Sequence, residues 1–148
     1  MKAELKNFDI VGMNGEWFSP DHTEYFGALL DLVIGPLDSE GGDNFSAIVC
    51  TPLWFADNVL SPKPIHETHE RHSRPLFGRH HLFVQSFDEH IIRETIEQFI
   101  AAQTGDDWRS LALRLSRELA WEFEDYASFN ECQYGLLRGS RLPPFVRQ

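Results

Sequence analysis

His66-Glu67-Thr68-His69-Glu70-Arg71-His72 is the one run in this chain whose side chains could do chemistry unaided. Imidazoles are the commonest transition-metal ligands, and three of them beside two carboxylates could hold zinc. The spacing argues against it. On a helix His66 and His69 are neighbours, but His72 is rotated by about 120° from His66. In an extended segment His69 points away from the other two. A metalloprotease helix needs His-Glu-x-x-His, and here the second histidine comes one residue early. The run reads as a solvated, pH-sensitive loop before it reads as a metal site. His80 and His81 are the imidazoles that a folded site could still recruit.

Nucleophilic chemistry finds less support. Cys50 lies in an apolar run, where a thiol behaves as a small hydrophobe. Ser46, Ser61 and Ser73 sit in no Gly-x-Ser-x-Gly elbow. Gly41-Gly42 is too short to cradle a phosphate. Glu122 and Glu124, placed on a helix, diverge by about 200° and cannot converge on one substrate. Glu122 and Asp125 share a face there, and suit a solvated edge or an ion pair with Arg117 or Arg138. No cofactor is expected from any of these patterns.

The elements that would position such groups begin with strands. Ala3–Met13 alternates unevenly and ends at the turn dipeptide Asn14-Gly15. Phe26–Ile34 is the clearest strand, with Ala28, Leu30, Leu32 and Ile34 on one face and Leu29, Asp31 and Val33 on the other. Gly35-Pro36 stops it, and residues 37–44 form a hairpin connection. Phe45–Thr51 returns, and Pro52 ends the pairing because it has no N–H to give. A short helix over Leu53–Leu60 would take Thr51 as its cap and Pro52 at its first position. Residues 61–79, with three prolines, read as a long surface loop. Leu82–Phe87 is apolar on both faces, which predicts a central strand.

Two helices follow. Ser86 with Glu89 three residues on forms a capping-box pattern, and Ile92, Ile96, Phe99 and Ile100 make one helical stripe. After Gly105, Thr104 or Asp106 would cap a second helix with the stripe Trp108, Leu111, Ala112, Leu115, Leu119, Phe123 and Tyr126. That stripe leaves Trp121 facing elsewhere. The order predicts an α+β domain over residues 1–134, an antiparallel sheet of about four strands with two longer helices packed on one face. Residues 135–148, with Pro143-Pro144 and three arginines, read as a loosely held basic tail.

At 148 residues the chain can bury about 70% of its unfolded surface. Its hydrophobic content of 42% excludes an intrinsically disordered chain. The net charge of −10 is unevenly spread. Residues 1–60 sum to −8 and residues 82–134 to −7, whereas 61–81 carry +2 and the tail +3. An acidic body repels phosphate backbones, so direct nucleic-acid binding is disfavoured, and it attracts a basic partner. Solubility alone is the plainer explanation of such charge. Cys50 and Cys132 show no pairing pattern and read as reduced thiols. Lys2, Glu4, Lys6 and Asp9 break the apolar run that a signal peptide needs, and no apolar stretch approaches the ~20 residues of a membrane span. A cytoplasmic protein off the membrane is expected.

Three motifs in order carry a resemblance. Ile34-Gly35-Pro36 follows a long strand, Asp43-Asn44-Phe45 leads into Val49-Cys50-Thr51-Pro52-Leu53-Trp54, and Trp121-Glu122-Phe123-Glu124-Asp125-Tyr126 stands near the C-terminus. Spanning roughly residues 26–126, they resemble the eighth numbered family of immunity proteins of bacterial polymorphic toxin and contact-dependent inhibition systems. The resemblance implies a non-enzymatic antidote that binds the C-terminal effector domain of a toxin made in the same cell. It implies a protein partner, with the matched motifs as fold determinants rather than contacts. Charge density then nominates the surface: Asp38, Glu40 and Asp43 in the hairpin connection, Asp57 after the Trp, and a second patch of Glu122, Glu124 and Asp125. A basic nuclease cleft is the target such a surface would suit.

Two readings of other classes stand beside it. One is a metal-binding module or metal-dependent enzyme using His66, His69, His72, His80 and His81. The other is a structural subunit that self-associates through exposed aromatics. Elemental analysis separates the first, and a toxin gene immediately upstream marks the antidote. The sequence leaves the oligomeric state open.

Overall fold

The computed structural model describes residues 1–16, 18–61 and 75–124. His66, His69, His72, Asp125, Tyr126, Cys132 and the tail 135–148 lie outside the described residues, as does most of the loop expected over 61–79. The elements run β1 (Ala3–Val11), β2 (Gly27–Pro36), β3 (Asp43–Cys50), α1 (Pro52–Phe55), a π-helical turn (Ala56–Leu60), β4 (His81–Phe83), α2 (Glu89–Ala101), α3 (Trp108–Leu115) and β5 (Ala120–Trp121).

β1, β2 and β3 form an antiparallel meander. The uneven alternation of β1 has a structural cause: Leu5 faces Ile34 and Asn7 faces Val33, so Lys6 is an extra residue at an irregularity. The β2 stripe is as the period-two pattern predicts. Ala28, Leu30, Leu32 and Ile34 are fully buried, and with Phe45, Ala47 and Val49 of β3 they pack on Ile92, Ile96 and Ile100 of α2 and Leu111, Ala112 and Leu115 of α3. The result is the expected α+β architecture, one sheet with helices on one face. A ring cluster of Phe18, Phe26 and Phe87, with centroids 5.3–5.7 Å apart, seals the start of β2.

The outer edge of β3 is shared end to end by two short strands. β4 pairs in parallel with Ile48–Cys50, and β5 pairs antiparallel with Phe45 and Ser46. Leu82–Phe87 is therefore not a central strand: only its first two residues, with His81 before them, sit at the sheet edge, and Phe83 is exposed. Its apolar character reflects the ring cluster around Phe87 rather than burial between two strands.

Helix starts also differ from the expected ones, for local reasons. Phe87 N–H is still bonded to the Thr23 carbonyl, so α2 begins only after Asp88, whose carboxylate accepts from Ile91 N–H at 3.2 Å. α3 is capped by Asp107 rather than Thr104 or Asp106, because Ser110 at the third helical position completes the reciprocal box. Thr51 gives α1 no side-chain bond. Its buried hydroxyl lies against the Phe26 backbone instead, 3.3 Å from that N–H, where it joins the ends of β2 and β3.

The larger correction concerns residues 116–124. α3 stops at Leu115, and the chain turns into β5 instead of continuing to Tyr126. Leu119 and Trp121 point inward while Phe123 is 38% exposed, the opposite of the helical expectation for Trp121 and Phe123. Leu119, Phe123 and Tyr126, four and then three residues apart, satisfy a helical stripe on paper. A core slot beside Phe45 favours the strand.

Candidate interaction surface

The separated motifs meet each other in space. Asp43 Oδ2 accepts the indole N–H of Trp108 at 2.7 Å and that of Trp121 at 3.0 Å. Asn44 donates its backbone N–H to Glu122 Oε1 at 3.1 Å and its side-chain amide to Oε2 at 2.8 Å, while Glu122 N–H returns to the Asn44 carbonyl. Phe45 stacks on the Trp121 ring and meets Trp108 edge-on. Trp54 lies on Gly27, where an added Cβ would come within 2.2 Å of the indole. At the other end of β2, a Cβ on Gly35 would stand 2.0 Å from the Gly41 carbonyl oxygen. Gly35, Asp43, Asn44, Phe45, Trp54, Trp121 and Glu122 of the motifs thus have structural tasks, and this agrees with the reading of the motifs as fold determinants.

The sheet has a second face, opposite α2 and α3 and overlaid at one end by α1, and its register lays out three rows. Val11, Leu29, Ile48 and His81 form one, Asp9, Asp31, Ser46 and Ala120 the next, and Asn7, Val33, Asn44 and Glu122 the third. Asp9 and Asp31 are direct cross-strand partners, and both are exposed. Neither forms an ion pair among the described residues. Asp9 accepts only a neutral bond, from the Asn7 amide at 2.8 Å. The face is bounded at one end by Trp54 over Gly27 and at the other by the Gly41-Gly42 turn over Gly35.

The nominated carboxylates divide accordingly. Glu122 lies on this face together with Asp9 and Asp31. Asp57 sits on the π-helical turn, where Tyr25 OH donates to it at 3.0 Å and accepts from Asn58. Asp38 and Glu40 are exposed in the connection between β2 and β3. Asp43 projects to the other side, toward the helices, and is occupied by two indoles. Glu124 pairs with Arg79 at 2.9 Å, and Glu122 takes Asn44 rather than Arg117 as its partner. Asp9 and Asp31 went unnominated in the sequence. The one available signal was the alternation that puts Asp31 opposite the buried stripe.

The remaining chemical groups are committed to the fold. His80 adopts a left-handed φ of 66° and sets its Nε2 3.1 Å from the Ser116 carbonyl, which Arg79 also meets at 2.9 Å. Two cationic-type side chains thereby finish the C-terminus of α3. His81 stacks with Phe83, and both rings meet Phe55 edge-on. Burial pushes the Cys50 thiol up to about 11, the state of an inert core cysteine. Among the described residues no three His, Cys, Asp or Glu side chains gather as a metal site, and no helix is long and apolar enough to cross a membrane.

Neither curated proteins nor solved structures give a match. The family described as Immunity protein 8 matches residues 3–126, from the first residue of β1 past the last strand and through all three motifs. That span takes in the whole sheet, both longer helices and the aromatic–carboxylate contacts that join them, so the chain belongs to the Immunity protein 8 family.

Proposed function

We propose that this protein neutralises a toxin made by the same cell, by binding its C-terminal effector domain stoichiometrically and blocking its active site or an essential exosite. No bond is made or broken in this reading, and the work is done in the cytoplasm before the toxin leaves. The observation that carries it is the family match across residues 3–126, since immunity proteins act on a cognate toxin. The net charge of −10 supports a basic target such as a nuclease, whose substrate cleft an acidic protein can fill.

Co-expression tests the proposal. The toxin effector domain encoded beside this gene should arrest growth alone, be rescued by this protein, and co-purify with it at equal stoichiometry. Absence of a complex at micromolar concentrations, or rescue that requires catalytic turnover of a metal-loaded form, would overturn it.

A further inference from the structure

Resting on that reading, we propose that the sheet face opposite α2 and α3 is the surface that meets the toxin, and that it takes a Lys/Arg-rich patch of the effector domain over the Asp9–Asp31 pair. Three observations on the face converge. It is framed, with Trp54 closing one end and the Gly41-Gly42 turn the other, so that the strip Leu29, Asp31, Val33 is left open between them. It mixes half-buried aliphatic side chains (Val11, Leu29, Val33, Ile48) with exposed carboxylates, the composition of an interface centre with its polar complement. And β2, β3, β5, α1 and the π-helical turn contain no lysine or arginine at all.

The cations of the described chain, Lys6 apart, lie elsewhere. Arg93 rests on the Phe8 ring beneath α2, Lys2 donates to the Ala101 carbonyl at the end of α2, and Arg79 serves the end of α3. Arg109, Arg114 and Arg117 are on or just after α3. Lys6, at the strand irregularity, stands at the Gly35 end of this face, where Glu4, the cross-strand partner of Gly35, and the Ser39 carbonyl hold it. Among the described residues charge is therefore sorted by layer, acidic on this sheet face beyond the Lys6–Glu4 pair and mixed on the helices. Like charges directly opposite on neighbouring strands oppose folding. A cationic partner laid across Asp9 and Asp31 would turn that repulsion into attraction, whereas a phosphate backbone would add to it.

The experiment compares full-length variants against the purified, catalytically inactivated effector domain of the neighbouring toxin. Asp9→Asn with Asp31→Asn keeps the shape and removes the charge. It should weaken binding by at least ~10-fold while raising Tm by about 1–3 °C, so that affinity and stability move in opposite directions. Reversing charge on the helix layer, with Glu94→Lys and Glu97→Lys, should change affinity less than ~2-fold. Unaltered affinity in the sheet variant, or loss confined to the helix variant, overturns the surface while leaving the antidote intact. A wild-type dimer that falls apart in the sheet variant overturns it too, giving the face to a second copy. Failure of the wild-type chain to bind any such domain sinks the antidote reading itself.

Discussion

A single oxygen, Asp43 Oδ2, accepts hydrogen bonds from two indole N–H groups that come from α3 and β5. Hydrogen bonds to an ionised acceptor are the strong kind, worth about 1.5–3 kcal/mol each where the alternative is an unpaired donor. Asp43→Ala should therefore cost about 3 kcal/mol in urea unfolding followed by tryptophan fluorescence, and Asp43→Asn, which keeps one acceptor, about 1 kcal/mol. If Asp43→Ala unfolds like the wild type, the carboxylate is not the tie described here. Cys50 makes the complementary case of a group kept silent. With its thiol raised to about 11, only about 1 in 1000 molecules carries the thiolate at pH 8. Iodoacetamide should leave the Cys50 peptide unmodified in the native protein and label it in urea, as read by mass spectrometry. The same shift dictates a sign. The unfolded thiol ionises near its ordinary value of 9.0 and the folded one later, so stability falls as pH rises through that window.

At the level of elements, what the sequence revealed and what it hid follow from the range of the interactions. The β2 stripe and the α2 stripe are local periodicities, and Ala28 to Ile34 and Ile92 to Ile100 bury as their spacing demands. The strand at Trp121 was illegible because its determinants, Phe45 and Asp43, stand far upstream. Leu119 and Phe123 meanwhile fit a helical spacing equally well. The Asp9–Asp31 pairing was hidden by the extra residue at Lys6, which resets the β1 register that simple alternation would assign. Caps were misplaced by one to three residues since Ser, Thr and Asp crowd the helix starts, and the bond of Asp88 to Ile91 and the reciprocal bonds of Asp107 and Ser110 choose between them. That box predicts a pH dependence. Ser110, through its backbone N–H first and its hydroxyl second, holds the Asp107 carboxyl below the usual carboxylate range. Its contribution is then complete above the unfolded value of roughly 4 and fades as pH falls through the depressed folded one. Asp107→Ala should lower the urea midpoint at pH 7, and the gap to wild type should narrow toward pH 2. A constant gap across that range would assign the effect to helix propensity alone.

Across the whole molecule, the separation of charge between layers matters more than the total. The Immunity protein 8 family supplies a cognate toxin as the partner, and an anionic sheet face would act on the approach of a basic one before contact. Association with a basic effector domain should slow by about 10-fold as ionic strength rises from roughly 0.05 to 0.5 M, with dissociation changing much less. Stopped-flow measurements at several salt concentrations would read this directly, and a flat association rate would assign the acidity to solubility.

The order in which the chain acquires its contacts has a temporal consequence. Trp121 closes on Asp43 from 78 positions further along, and β5 is the last strand of the described residues to arrive. On the ribosome the emerging β2–β3 hairpin carries a bare stretch at Phe45–Ser46 and a carboxylate without its indoles. The described core is completed only once translation has run past residue 121, so a message cut short before it leaves Phe45 and Asp43 without their partner Trp121.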